Sequence, residues 1–375
     1  MTDRMKILND VNKIVIKIGT SSITREDGGL NRDFMDRIAA QVSHLHKQNK
    51  QVIIVSSGSI GIGIEMLKLG YRPREIPIRQ AAAAVGQSIL MQEWSSTFKK
   101  YDLDVAQILL SYESFSNRLT YLNLRNSIST LLSYGVVPII NENDCTCVHE
   151  IEATFGDNDK LSAMVASKTE ADLLIMLSDI DGLYDKNPKR NPDAKLLDTV
   201  EKITPEIESF GGNPTSTKGV GGMRTKIEAA RICNMAGCYM IIANSSIDNV
   251  ILRILDGENI GTLFLTNEDV HKNRIRWIIL SKSSGKIIVD PGAKDAIESS
   301  MSLLPSGVID VIGTFERGDI IEIECDGYLF AKGITDYSSD ELSKIKGVHT
   351  DKIADILGYK NYNHVIKQEN IGLIF

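Results

Sequence analysis

Over its first two-thirds the chain alternates short apolar runs with amphipathic stretches. Residues 13–18, 52–55, 105–110, 136–140, 173–177 and 239–243 are runs of Val, Ile and Leu with few interruptions. Near-continuous apolar runs of this length predict strands buried on both faces. Between them apolar residues recur every three to four positions. Phe34, Ile38, Val42 and Leu45 form one such stripe. Leu122, Ile128, Leu131 and Leu132 form a second, and Leu161, Met164 and Val165 a third. Strands alternating with helices predict right-handed crossovers and a mainly parallel sheet.

The pattern changes near residue 270. Residues 271–276 are polar and basic, and 271–284 reads as a linker. From Gly285 the apolar runs are short and punctuated by turns. Residues 286–289 precede Asp-Pro-Gly, 308–312 precede Gly, and 320–324 end at Cys-Asp-Gly, a hairpin signal. The division expected is 1–270 for a catalytic domain and 285–375 for a small β-rich domain.

Ligands of an open parallel sheet bind beyond the carboxyl ends of its strands. The first run is followed by Gly19-Thr20-Ser21-Ser22 and the second by Ser56-Ser57-Gly58-Ser59. The fourth is followed by Asn141-Glu142-Asn143-Asp144 and the fifth by Ser178-Asp179. Small and polar residues therefore gather along one edge. Lys17 is the odd residue of its strand. It is either a lysine snorkelling from an edge strand or a cation reaching a phosphate over a glycine turn. Ser56–Ser59 also fits a strand-to-helix turn with an N-cap serine. Gly156-Asp157-Asn158-Asp159-Lys160 opens a helix with more acidic and amide groups than one cap requires. The extra carboxylates suit positioning of lysines, an ammonium group or magnesium. Gly219–Lys226 precedes another helix and offers a glycine nest with Lys226 in the first turn.

Several chemistries are excluded by what is missing. There is no Gly-Lys-Ser/Thr phosphate loop, no Gly-x-Gly-x-x-Gly after the first strand and no Gly-x-Ser-x-Gly elbow. Five cysteines without framework spacing read as free thiols of a reducing cytosol. The N-terminus has no apolar leader and no run is long enough to cross a bilayer, so a cytoplasmic protein without membrane contact is expected. A composition of 42% hydrophobic and 24% charged residues is that of a globular protein, and a net charge of −7 gives no basic surface for nucleic acid.

Seven motifs taken together resemble the amino acid kinase superfamily. They are Lys17-Ile-Gly-Thr-Ser21, Val55-Ser-Ser-Gly-Ser-Ile60, Ala83-Ala-Val-Gly-Gln87, Pro138-Ile-Ile-Asn-Glu-Asn-Asp144, Gly156-Asp-Asn-Asp-Lys-Leu-Ser162, Leu177-Ser-Asp-Ile-Asp-Gly-Leu-Tyr184 and Gly221-Gly-Met-Arg-Thr-Lys226. Their order resembles the branch that phosphorylates the γ-carboxylate of L-glutamate, and the part from Gly285 resembles a PUA domain. The resemblance implies an α/β three-layer sandwich with a mainly parallel sheet. It also implies ATP with magnesium, inhibition by proline at a site overlapping that of glutamate, and a homo-oligomer, dimer or tetramer. Carried over by position, Lys17 and Lys226 hold the transferring phosphoryl group and Asp159 orients them. Ser57, Asp144 and Asn158 bind glutamate with Asp157 close by. Ser178, Asp179 and the loop Val220, Gly221, Gly222, Met223, Arg224, Thr225 and Lys226 bind ATP. Val220 stands where family members often have Thr.

Two other readings remain open at this point. One is a sibling kinase acting on acetylglutamate, aspartate, carbamate or uridylate. The other is an RNA-binding factor working through the C-terminal domain. Residues 285–375 carry nine Lys and Arg against fifteen Asp and Glu, which opposes phosphate-backbone binding.

Overall fold

The computed structural model describes residues 3–25, 29–111, 118–145, 158–188, 190–211, 222–266, 275, 278–279 and 281–374. It divides into two compact units, Met1–Asn267 and Glu268–Phe375.

The first unit is built on an eight-stranded sheet. Its strands are β1 (Lys13–Ile18), β2 (Gln51–Ser56), β3 (Val105–Leu110), β4 (Val137–Glu142), β5 (Leu173–Ser178), β6 (Thr199–Val200), β7 (Tyr239–Asn244) and β8 (Thr262–Phe264). The order across the sheet is β3-β4-β2-β1-β5-β7-β8-β6. All neighbouring pairs are parallel except β7 with β8. β1 lies in the middle, paired with β2 and β5, so Lys17 cannot be leaving an edge strand.

Successive side chains of a strand point to opposite faces. Ile14, Ile16 and Ile18 of β1 enter one core with Val42, Leu45, Trp94 and Phe98, from the helices Arg32–Lys47 and Ile76–Lys99. Val15 enters the other core, with Leu161 and Val165 of the helix Asn158–Lys168 and with Ile227 and Ala230 of the helix Met223–Ala236. Lys17 follows Val15 by two positions and shares its face. Strand alternation alone therefore aims this lysine at the two helices that carry Asp159 and Lys226.

The loop after β2 turns sharply into the helix Ser59–Met66. Gly58 is its N-cap, with φ 106°, and no side chain caps the helix. The cap is thus the glycine rather than a serine, because the chain needs left-handed backbone there. This helix packs closely on Ile76–Lys99 through two glycines. A Cβ on Gly63 would lie 1.8 Å from the Ala82 carbonyl oxygen, and one on Gly86 would lie 1.8 Å from that of Ser59.

The second unit has a five-stranded sheet of order β10-β9-β11-β12-β13. Its strands are β9 (Gly285–Val289), β10 (Val308–Ile312), β11 (Ile320–Cys325), β12 (Tyr328–Ile334) and β13 (Ile371–Leu373). Only β9 and β11 pair in parallel. Asp326 and Gly327, both with positive φ, form the expected hairpin turn. Asp290-Pro-Gly is not a turn between strands. Asp290 Oδ1 accepts from the Ala293 N–H at 2.7 Å and caps the helix Pro291–Glu298. Asp followed by Pro at the first helical position starts a helix as well as a turn. The helices Ser339–Ile345 and Ile353–Leu357 are likewise additions to the β-rich reading. Of the stretch read as a linker, Ile278 is buried, and Ile275 and Ile279 lie beside Gly372.

Four free cysteines are described, with Cys145 exposed and Cys233, Cys238 and Cys325 buried. Burial pushes the Cys238 thiol well up, which keeps it protonated and unreactive. Among the described residues no helix is long and apolar enough to cross a membrane.

The glycine contact gives a stability prediction. Gly86→Ala forces a methyl group into the Ser59 carbonyl. It should lower unfolding free energy by at least about 2 kcal/mol in urea titration. A change below about 0.5 kcal/mol would show that the helices do not pack this closely.

Candidate active site

Three elements meet at one carboxylate. Asp159, in the first turn of Asn158–Lys168, is fully buried. Lys17 Nζ donates to its Oδ1 at 2.5 Å and Lys226 Nζ to its Oδ2 at 3.0 Å. Both lysines are 4% exposed. Thr225 Oγ1 reaches the same Oδ2 at 2.8 Å and also the Gly222 carbonyl at 2.8 Å.

Each partner suits the others electrostatically. A carboxylate in a first helical turn is stabilised by the helix dipole, and a cation in that position is opposed by it. Asp159 is favoured at its helix start, whereas Lys226 at the start of Met223–Ala236 needs an anion nearby. Among the described residues two ammonium groups share this one carboxylate. A phosphoryl oxygen is a fitting second anion.

The two helices are also tied outside the centre. Glu228 bonds Lys160 at 2.6 Å and Arg224 at 3.2 Å. Burial raises the Glu228 carboxyl, but the two cations outweigh it and hold it below its ordinary value.

Beside this centre lies a polar recess at the ends of β2 and β4. Asn158 precedes Asp159 directly, and its Nδ2 donates to Ser57 Oγ at 2.8 Å, Asn141 Oδ1 at 2.9 Å and the Ser56 carbonyl at 3.1 Å. Asp144 accepts from Ser59 Oγ at 3.4 Å. Burial pushes the Asp144 carboxyl above its ordinary value, and Ser59 and the charge of Arg79 recover only part of that shift. The buried Trp94 holds Ser56 Oγ through its Nε1 at 3.2 Å.

A third group of loops lies at the ends of β1, β5 and β7. Ser178 donates to Asp179 Oδ1 at 3.1 Å, and its carbonyl accepts from the Ser245 N–H at 2.8 Å. Ser22 donates to Ser245 Oγ at 2.8 Å. Asp181 accepts from Asn244 Nδ2 at 2.8 Å and from the Tyr184 hydroxyl at 3.0 Å. Gly222, Met223 and Arg224 are described at the start of their helix, with Gly222 as its N-cap.

Of the site residues read from sequence, Lys17, Asp159, Lys226 and Thr225 converge directly, and Ser57 and Asn158 bond each other. Asp144 joins that recess through Ser59 and Asn141. Ser178 and Asp179 form part of the third group. Asp157, Val220 and Gly221 lie outside the described residues. The sequence reading missed Ser59, Arg79, Gln87, Trp94, Asn141, Asp181, Asn244 and Ser245. Several of these sit inside the quoted motifs, but nothing in their spacing told a ligand-facing side chain from its support.

The model of the amino acid kinase family matches residues 12–244, and that of the PUA domain matches 285–357. The chain belongs to the amino acid kinase family. It is 73% identical over 373 residues to a glutamate 5-kinase of Methanococcoides burtonii, covering 100% of both chains. A glutamate 5-kinase of Methanosarcina mazei is 68% identical over 381 residues, covering 100% of this chain and 99% of that one. One from Caldanaerobacter subterraneus is 44% identical over 365 residues, with 96% and 98% covered. As a kinase of this family, the chain uses ATP.

Two predictions come from the geometry. Lys17→Ala should lower kcat at least 100-fold, about 2.7 kcal/mol of transition-state stabilisation, with smaller changes in either KM. A two- to threefold loss, on the order of 0.5 kcal/mol, would remove Lys17 from the reacting centre.

The second concerns Asp144. A raised folded-state pKa means that its protonated form is the stabilised one. That contribution is present at acid pH and lost as pH rises through the folded-state value. Asp144→Asn should therefore leave the neutral-pH melting temperature unchanged or higher, while raising KM for an ammonium-bearing substrate at least tenfold. In the unaltered protein the same KM should climb as pH falls through the raised Asp144 value. A lower melting temperature with an unchanged KM would contradict both halves.

Proposed function

We propose that this chain transfers the γ-phosphoryl group of ATP to the γ-carboxylate of L-glutamate. The products are L-glutamyl 5-phosphate and ADP, in the first step of proline synthesis. Full-length likeness to glutamate 5-kinases carries this reading. The local geometry supports it, because Asn158 and Asp159 are consecutive and join the polar recess to the cationic centre.

Phosphoryl transfer asks a protein for positioning and for charge at the equatorial oxygens. Lys17 and Lys226 supply the charge, and Asp159 fixes both ammonium groups. The nucleophile is a carboxylate, ionised at neutral pH because its reference pKa is about 4.3. No general base is needed. Ser57, Asp144 and Asn158, with Asp157 nearby, hold the amino-acid end of glutamate. Ser178, Asp179 and residues 220–226 hold ATP. Among the described residues no three His, Cys, Asp or Glu side chains gather as a metal cage. Magnesium would arrive with the phosphates of the nucleotide. Proline as an inhibitor competing for the glutamate recess, and a homo-oligomeric state, complete the reading. Both rest on the family resemblance.

Hydroxylamine traps an acyl phosphate as its hydroxamate. Purified protein with ATP, magnesium and L-glutamate should form glutamyl hydroxamate, and added proline should suppress it. Aspartate and N-acetylglutamate should give little product. Turnover of N-acetylglutamate without turnover of glutamate would overturn the assignment.

A further inference from the structure

Three primary amides run in line behind the recess. A primary amide offers two donor hydrogens at one end and an acceptor oxygen at the other. Which end faces which neighbour is fixed here by groups of single polarity. The Glu142 N–H can only donate, and it meets Asn141 Oδ1 at 2.9 Å. Asn141 Nδ2 must then face away, and it donates to Gln87 Oε1 at 2.8 Å and to Ser59 Oγ at 3.4 Å. On the other side the Ser56 carbonyl can only accept, and it meets Asn158 Nδ2 at 3.1 Å. That same Nδ2 donates to Asn141 Oδ1 at 2.9 Å. The hydrogens of Asn158 are thus shared among Asn141 Oδ1, the Ser56 carbonyl and Ser57 Oγ, and among the described residues no hydrogen bond reaches its Oδ1.

Gln87 is buried in the helix Ile76–Lys99, one residue after the tightly packed Gly86. Its Nε2 is buried with no hydrogen-bond partner among the described residues. An N–H donor buried without an acceptor is unfavourable. Leucine or methionine would fill similar space without that penalty. The glutamine is therefore explained by its oxygen, which is the short acceptor for Asn141.

We propose that Gln87 is a positioning residue: by holding Asn141, it keeps the Asn158 carbonyl turned toward the α-ammonium group of the substrate, alongside Asp144. The proposal rests on the glutamate reading above and deepens it. Losing Gln87 Oε1 leaves Asn141 Nδ2 only its long contact with Ser59. Asn158 keeps the Ser56 carbonyl that sets its polarity, but its second acceptor, Asn141 Oδ1, is then placed from one side only and the carbonyl of Asn158 is aimed less firmly. Recognition of the ammonium end suffers, whereas the Lys17–Asp159–Lys226 centre is untouched.

Steady-state kinetics of the full chain test this, with glutamate and ATP varied separately and melting temperature measured alongside. Gln87→Met removes the acceptor at nearly constant volume. It should raise KM for glutamate about tenfold, with kcat and KM for ATP within about twofold. Its melting temperature should equal or exceed that of the unaltered protein. Gln87→Glu retains an acceptor oxygen for Asn141 and should bring KM for glutamate back to within about threefold. An unchanged glutamate KM in Gln87→Met overturns the proposal. So do equal rises in both KM values with a fallen melting temperature, or a Gln87→Glu variant no better than Gln87→Met. Absence of glutamate turnover by the unaltered protein would overturn the functional reading with it, so the two failures are distinguishable.

Discussion

One buried carboxylate organises the catalytic unit. Removing charges from water is expensive, and a buried ion pair recovers that cost only with good geometry and satisfied partners. Asp159 meets the condition by taking two lysines and a hydroxyl on its two oxygens. The three ionic groups come from β1 and from two helices on one face of the sheet. They can coincide only if both helices are seated in register on the central strand. The centre therefore couples the packing of that face to the placement of both cations. Among the described residues it gathers two cations on one carboxylate, an arrangement not built for stability alone. Under the proposed function a transferring phosphoryl group is a further anion that both lysines meet.

The opposite face of the sheet supports the recess by different means. There the close approach of the helices Ser59–Met66 and Ile76–Lys99 is set by steric contact at Gly63 and Gly86. That contact places Ser59, Gln87 and Trp94 around the ends of β2 and β4. Neutral hydrogen bonds do the positioning, where the other face uses charge. The division suits the ligand. A phosphoryl group needs concentrated charge, whereas an amino acid is recognised by the direction of donors and acceptors.

What could be read from sequence follows the same physics. All six apolar runs fall on strands, with ends shifted by a residue or two, but the run 105–110 is the edge strand β3, mostly half-buried with Gln107 exposed, so burial on both faces holds for the inner five only. Lys17 stood out because a lysine in such a run is conspicuous. The order of the strands was not legible, because it is decided by long-range packing. Nor was the antiparallel β8, which is three residues long. In the C-terminal unit Asp-Pro-Gly carries turn and helix-start signals at once, and only packing of the helix Pro291–Glu298 decides between them. The amide series was illegible for another reason. Asn and Gln lie in motifs for many purposes, and their polarity is set by backbone groups far away in sequence.

Asp144 and Asp159 differ in what surrounds them, and under the proposed function the difference orients the substrate. Asp159 is saturated by two cations. Asp144 is under-compensated, with its carboxyl raised by burial and only a long hydroxyl contact and the charge of Arg79 against that. An ammonium group gains more beside Asp144, for which no close cation is seen among the described residues, than beside Asp159. A carboxylate gains more near the lysine pair. Glutamate carries an ammonium at one end and its γ-carboxylate at the other. Placed with the ammonium toward Asp144 and Asn158 and the γ-carboxylate toward Lys17 and Lys226, it suits both ends at once. In the reversed placement the α-ammonium accompanies the α-carboxylate to the lysine pair, and the γ-carboxylate meets Asp144. Under the proposed function this asymmetry favours the γ-carboxylate over the α-carboxylate at the lysine pair.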